Sequence, residues 1–327
     1  MSAHNDSAHA HAHGDGHQHG DLDWEVMAAH LVNSGELQLP VLRRTAGRLS
    51  ELLGPEPEVR RVLDIGSGPG VMTCVLAEAF PAAETVAVDG TPALLTHTWD
   101  RAARLGVGER VTVRHAELPD GLDGALGTAD LIWSSKAVHH IGDQQGVLDA
   151  LAGALNPGGL LAVAEGGLPT RFLPRDIGTG RPGLQARLDA AQEYWFEIMR
   201  SELPGSTSVA EDWPAMFRRA GLTEVASFTL LLDLPAPLGE AARTFLHTQL
   251  TRFREMMSET LDADDVKTLD LLLDADAPDG ILRRSDAFLL SATTVYTGVA
   301  PRVTTPRPAP SQGPTRGGAC PARSGAR

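Results

Sequence analysis

The sequence predicts an α/β protein built on a doubly wound sheet of seven strands, with further helices inserted in its second half. Three observations carry this prediction. Short apolar runs alternate with helical patterns from Arg61 to Glu165, the rhythm of a sheet assembled from strand–helix–strand units. The first run ends in a glycine turn that opens directly into a helix, Arg61 to Val71 reading RVLDIGSGPGV. Two further strand patterns near the end of the chain, 222–234 and 286–296, have helical patterns before and between them.

The elements follow in order. Residues 1–22 carry six histidines among Ala, Gly, Asp and Ser. Such a composition cannot bury enough apolar surface to order itself. Imidazole is a common metal ligand, but these histidines alternate loosely and lack the spacing of a fixed metal site. A disordered tail and no metal centre are expected. Trp24 to Leu53 has helical periodicity, with Asn33-Ser34-Gly35 expected to break it into two helices and Gly54-Pro55 to end it. Val62, Leu63 and Ile65 then form the apolar run of a buried parallel strand. A helix is expected over 69–80, since Pro69 costs little at a helix start.

The second strand is Glu84–Asp89, followed by a helix over 92–105 and a third strand over 110–115. The fourth strand is Ala129–Ser135, and a helix over 143–155 ends at the turn Asn156-Pro157-Gly158-Gly159. Leu160–Glu165 is the fifth strand. Beyond it the pattern predicts a long helix over 182–203, a short one over 213–220, a strand over 222–234, two helices within 236–273 and a final strand over 286–296. Residues 301–327, rich in Pro, Gly, Ser and Arg, read as a second disordered tail.

Composition narrows the function. The net charge is −14, and five of the arginines lie in the last 27 residues, so the rest of the chain is more acidic still. A nucleic-acid polymer is therefore disfavoured as a partner, because phosphate binding needs basic surface. The two cysteines, Cys74 and Cys320, make no disulfide framework and fit a reducing compartment. No apolar run reaches the ~18 residues of a membrane span, and the N-terminus lacks a basic segment followed by an apolar one. A soluble, cytoplasmic protein is the expectation.

The glycine spacing speaks to the ligand. A dinucleotide fingerprint places its third glycine at the sixth position. Here Gly66, Gly68 and Gly70 occupy the first, third and fifth positions, Val71 the sixth, and Asp64 stands two residues ahead. Glycines there permit a tight turn and close approach of a ligand at the carboxyl edge of the sheet. Asp89 ends the second strand about 20 residues further on, where an acid accepts hydrogen bonds from ribose hydroxyls. It could equally serve the turn into the next helix.

Asp64-x-Gly66-x-Gly68-x-Gly70 resembles the first motif of the class I S-adenosylmethionine-dependent methyltransferases. Three later features resemble the same family in the same order: Asp89, the stretch Ser134 to Asp143 with its His139-His140 pair, and the Pro157-Gly158-Gly159 turn. The likeness covers roughly residues 24–300 and is specific over 61–165. It implies a Rossmann-like methyltransferase fold over 23–300 whose seventh strand is antiparallel, with a helical lid from 23–55, 168–220 and 236–275. It also implies S-adenosylmethionine as cofactor, S-adenosylhomocysteine as product, and methyl transfer to an O, N or C nucleophile of a small molecule. The cofactor residues it implies are Asp64, Gly66, Ser67, Gly68, Gly70, Asp89, Gly90, Glu117, Leu118 and Ser134, with Glu117 matched to the acid that meets the adenine amino group.

Acceptor residues are less legible. Packing of the following helix is the preferred account of both histidines, and His140 is the candidate if a base exists, imidazole being a group that titrates near neutrality. His139, Arg181 and Tyr194 are candidate substrate contacts. Arg171, Arg175 and Arg181 could meet an anionic group or pair with local acids. Glu165, at the end of the fifth strand, could simply satisfy backbone donors. Two other readings stay open, a non-catalytic S-adenosylmethionine-binding regulatory module and a nucleotide-linked oxidoreductase, the latter opposed by Val71 at the sixth position. A homodimer is compatible with the sequence.

Overall fold

The computed structural model describes residues 24–122 and 124–302. The expectations for the His-rich tail and for most of the C-terminal tail, Cys320 included, lie outside these residues. One seven-stranded sheet organises the rest. Its strands are β1 (Arg61–Ile65), β2 (Glu84–Asp89), β3 (Val111–His115), β4 (Ala129–Ser135), β5 (Leu155–Arg171), β6 (Thr223–Leu234) and β7 (Leu289–Val299). They lie in the order β3-β2-β1-β4-β5-β7-β6. The first five pair in parallel, and β7 runs antiparallel to both β5 and β6.

Side chains alternate across the sheet and build two cores. Leu63, Ile65, Ile132, Leu161 and Val163 face α4 (Gln144–Gly153) and α6 (Trp213–Arg219), where Leu148, Met216 and Phe217 are buried. Their neighbours Val62, Leu131, Trp133, Ala162 and Ala164 face the other way, onto Leu49 of α1 (Trp24–Leu53) and Val75 and Leu76 of α2 (Val71–Ala79). Period-two alternation with both faces covered is what a parallel sheet requires. A further core lies among α5 (Leu184–Glu202), α7 (Glu240–Met257), α8 (Ala263–Leu273) and the ends of β5, β6 and β7, through Leu188, Leu246, Leu250, Leu269 and Leu289. The remaining helix, α3 (Pro92–Arg104), packs between β2 and β3. Among the described residues no helix is long and apolar enough to cross a membrane.

Several boundaries differ from expectation, β5 among them, which continues to Arg171. The break at Asn33-Ser34-Gly35 is absent, and α1 runs unbroken through it and through Pro40. Gly35 is there for close approach: a Cβ on it would lie 2.5 Å from Val71 Cγ2, so the glycine lets α1 settle on α2. Helix α2 starts at Val71 rather than 69, because Gly70 is left-handed (φ 74°). The turn Asn156–Gly159 is an excursion within β5: Ala129 pairs with Leu155, and Leu131 only with Leu160. Strand β7 is displaced to Leu289–Val299, where it closes against β5 and β6.

Candidate active site

The carboxyl ends of β1, β2 and β4 meet at the glycine loop. Gly66, Gly68 and Gly70 have φ of 71°, 54° and 74°, the left-handed region that side chains resist. The Gly66 and Ser67 amides donate to Val88 O at 2.9 and 3.0 Å, which ties the loop to β2. Asp89 anchors it further. One carboxylate oxygen accepts from Gly68 N at 2.8 Å and the other from Thr91 N at 2.9 Å. From α3, Thr98 Oγ1 donates to Gly68 O at 3.0 Å, and a Cβ on Gly70 would strike that threonine at 2.5 Å. Gly68 itself faces open space where a Cβ would stand.

Asp64 lies beneath the loop, 2% exposed, and accepts from Thr73 Oγ1 of α2 at 2.6 Å. Burial pushes its carboxyl up to about 7, against the threonine hydroxyl and with the nearby Asp89 charge. Glu117 lies against Gly90, where a Cβ would come within 2.8 Å of its carboxylate. His115 Nε2 contacts Gly90 O at 3.0 Å, and Leu118 packs on the core. Two hydroxyls at this edge, on Ser67 and Ser134, are buried without a partner. Buried polar atoms are ordinarily satisfied. Two orphaned hydroxyls beside an open glycine therefore fit a polar ligand with donors and acceptors of its own.

The turn after β4 reaches the second half of the site. Ala137 rests on the glycine loop, its Cβ 2.6 Å from where a Gly66 Cβ would be. Residues Val138–His140 then form a single 3-10 turn. Glu165, at the matching level of β5 and only 3% exposed, accepts from Val138 N at 3.1 Å and meets His139 Nδ1 at 2.7 Å. The contact turns Nδ1 of the ring toward the carboxylate and Nε2 away from it. His140 stacks obliquely on His139, ring centroids 4.1 Å apart. Burial pushes the His140 imidazole down to about 4, helped by His139 and Arg200 and opposed by Glu165.

Lys136 departs from ordinary backbone geometry with φ 53°. Its side chain is exposed. Above the turn sits α5. Arg200 donates to His139 O at 2.9 Å, Ile141 O at 2.6 Å and Gly142 O at 3.3 Å. Phe196, one turn earlier, packs on the His139 ring at 5.5 Å.

Residues 63–161, which span this edge from β1 into β5, match a family model described as a methyltransferase domain. Over that stretch the chain is similar to the methyltransferase-domain family. Curated relatives include the trans-aconitate 2-methyltransferase of Variovorax paradoxus, 37% identical over 111 residues, or 33% of this chain and 39% of that protein. That of Methylobacterium radiotolerans is 32% identical over 152 residues, 43% of this chain and 54% of the relative. The chain thus spans about half or less of the length of these relatives. An O-methyltransferase family protein from Burkholderia thailandensis is similar in structure at 13% identity and a TM-score of 0.45, over 83% of this chain and 59% of that one.

The carboxyl edge of the sheet brings together most of the residues expected from sequence, namely Asp64 to Gly70, Asp89, Gly90, Glu117, Ser134, His139 and His140. Two acceptor candidates are corrected. Arg181 is held by Asp262 and Asp265 at the start of α8, so its charge is spent on a structural pair. Arg187 adds a two-pronged contact to Asp265 at 2.6 and 2.8 Å. Tyr194 is 54% exposed on α5, whereas Phe196 carries the aromatic contact with His139. Consecutive helix residues point about 100° apart, and the sequence does not say which faces inward. Arg171 pairs with Asp189. His140, expected as the base, has its imidazole pushed down to about 4, where it accepts a proton poorly at neutrality. Glu165 and Arg200 are the functional candidates that sequence reasoning undervalued. Only the position of Glu165 at a strand end hinted at its part.

Proposed function

We propose that the chain is an S-adenosylmethionine-dependent methyltransferase acting on a small molecule, with His139 as its base. The observation that carries this reading is one short turn, which rests Ala137 on the glycine loop and two residues later presents His139 to Glu165. A cofactor cradle and an oriented base thereby share a wall. That juxtaposition favours catalysis over a purely regulatory binding module.

When bound, the cofactor supplies a methyl group already activated by a positive sulfur. The chain's residues hold and align it. Asp89 keeps lone pairs on both carboxylate oxygens for ribose hydroxyls, Gly68 leaves room for close approach, Glu117 would meet the adenine amino group, and Ser67 and Ser134 offer the free hydroxyls. His139 Nε2 takes the proton from an O–H or N–H acceptor, and Glu165 stabilises the imidazolium. Phe196 and the Arg200-clamped turn exclude water from that side.

The methyltransferase unit spans 23–300, with α1, α5, α7 and α8 as its helical lid. The acidic chain favours a small-molecule acceptor over nucleic acid, and its cysteine usage favours the cytoplasm. The trans-aconitate relatives make that tricarboxylate a first acceptor to assay, beside phenols and amines.

Calorimetric titration with S-adenosylmethionine and S-adenosylhomocysteine tests the reading. Micromolar binding is expected, weakened about tenfold to a hundredfold by Asp89→Ala, the worth of a charge-assisted hydrogen bond. No binding of either compound to the folded protein would refute it.

A further inference from the structure

A second cavity, of about 220 Å³, opens on the outer helical layer between α1, α2 and the last turn of α3. Its floor is apolar, made by Leu39, Val71, Cys74 and Val75. The Cys74 thiol is pushed up to about 11, chiefly by burial, and so acts as a neutral wall rather than a nucleophile. Charge gathers at one side: the guanidinium groups of Arg43, Arg101 and Arg104 against the carboxylates of Glu36 and Glu78. In a chain of net charge −14, this is a local excess of cation.

Arg101 is the informative member. It is only 7% exposed. One terminal nitrogen donates to Glu36 Oε1 at 2.5 Å, while its Nε is buried with no partner. A buried guanidinium donor without an acceptor is costly and points to an acceptor that belongs there. Arg43 and Arg104, exposed at the mouth, form no ion pair among the described residues. The volume is below the roughly 300–1,000 Å³ of sites for drug-sized ligands, so the occupant is small.

We propose that this cavity binds a small carboxylate with a short apolar body. The carboxylate accepts from the Arg101 guanidinium and from the two rim arginines, and the apolar body lies on Leu39, Val71, Cys74 and Val75. The floor argues against a bare inorganic anion, and the arginines argue against a neutral or cationic guest. The site is independent of the methyl-transfer reading.

Calorimetric titration of the full chain with sodium hexanoate, hexylamine and inorganic phosphate tests it. Saturable hexanoate binding is expected, with phosphate weaker and hexylamine silent. Arg104→Gln, on the exposed rim, should weaken hexanoate by about threefold to tenfold and Arg101→Met by about tenfold or more, as lost charged hydrogen bonds do. Glu36→Gln should tighten it by freeing Arg101. Hexanoate affinity should be unchanged by His139→Ala. No hexanoate binding, equal binding of phosphate or hexylamine, indifference to Arg104→Gln, or loss on His139→Ala would each overturn the proposal. Arg104→Gln keeps the test decisive if Arg101→Met fails to fold.

Discussion

Along the glycine loop the contacts are made by backbone, whereas past β4 they are made by side chains remote in sequence. Gly66 N, Ser67 N, Gly68 N and Thr91 N all find acceptors on the last two residues of β2. By contrast, His139 meets Glu165 across 26 residues, Arg200 reaches His139 O across 61, and Arg187 reaches Asp265 across 78. The first arrangement follows from where glycines and an acid stand relative to two adjacent strands. The second follows from the register of β4 on β5 and from how a lid helix settles. Recognition of a cofactor can thus be written locally, while recognition of an acceptor is written by packing.

The sharpest test of this division is the His139–Glu165 pair. His139→Ala should lower kcat by about 10²–10⁴ for an O–H or N–H acceptor, the usual worth of a general base. Glu165→Gln should lower it less, because an amide can still orient the ring but does not stabilise its charge. Cofactor affinity, measured by calorimetry, should stay within about twofold of wild type in both variants, a change well under 1 kcal/mol. A large loss of cofactor affinity with kcat preserved would dissolve the distinction between the two halves.

The same division explains what could be read in advance. The succession of strands along the chain and the glycine loop were legible because apolar runs and glycine spacing are local signals, and Asp89 stood at a strand end. The break at Asn33-Ser34-Gly35 was misplaced because Gly35 answers to Val71, 36 residues away and on another helix. Tertiary packing there overrides a local turn signal. For Arg181 the sequence left open an anionic substrate or local acids, and its partners are Asp262 and Asp265 of the distant α8 end. Phe196 could not be told from Tyr194 without the rotation of α5. In each case the missing information was a contact between elements, absent from any single window of sequence.

A smaller effect is expected in the cofactor half, from Asp64. Its carboxyl is pushed up to about 7, mainly by burial. The folded protein therefore holds a proton there that the unfolded chain gives up near pH 4. Where the native state binds more protons, stability falls as pH rises. The loss begins near pH 4, runs to about pH 7 and then levels off, and amounts to about 4 kcal/mol at most. Asp64→Asn cannot ionise, so urea titrations at pH 5 and pH 8 should lose this part of the slope. An unchanged slope in the variant would mean that the buried carboxyl is already ionised at pH 5.

The smallest effect belongs to Tyr194, and it sharpens the comparison from the lid side. The residue is 54% exposed and lies two residues before Phe196 on α5. Successive residues on a helix diverge by about 100°, so a side chain two places away points well off the His139 ring. Tyr194→Ala should shift stability by less than about 0.5 kcal/mol, as exposed substitutions do, and leave kcat/KM near wild type. Phe196→Ala at the same sites of measurement should raise KM or lower kcat, because it removes the ring that packs on His139. Equal effects from the two substitutions would show that α5 presents a broader face to the acceptor than a single aromatic contact, and the acceptor pocket would then have to extend along the helix toward Tyr194.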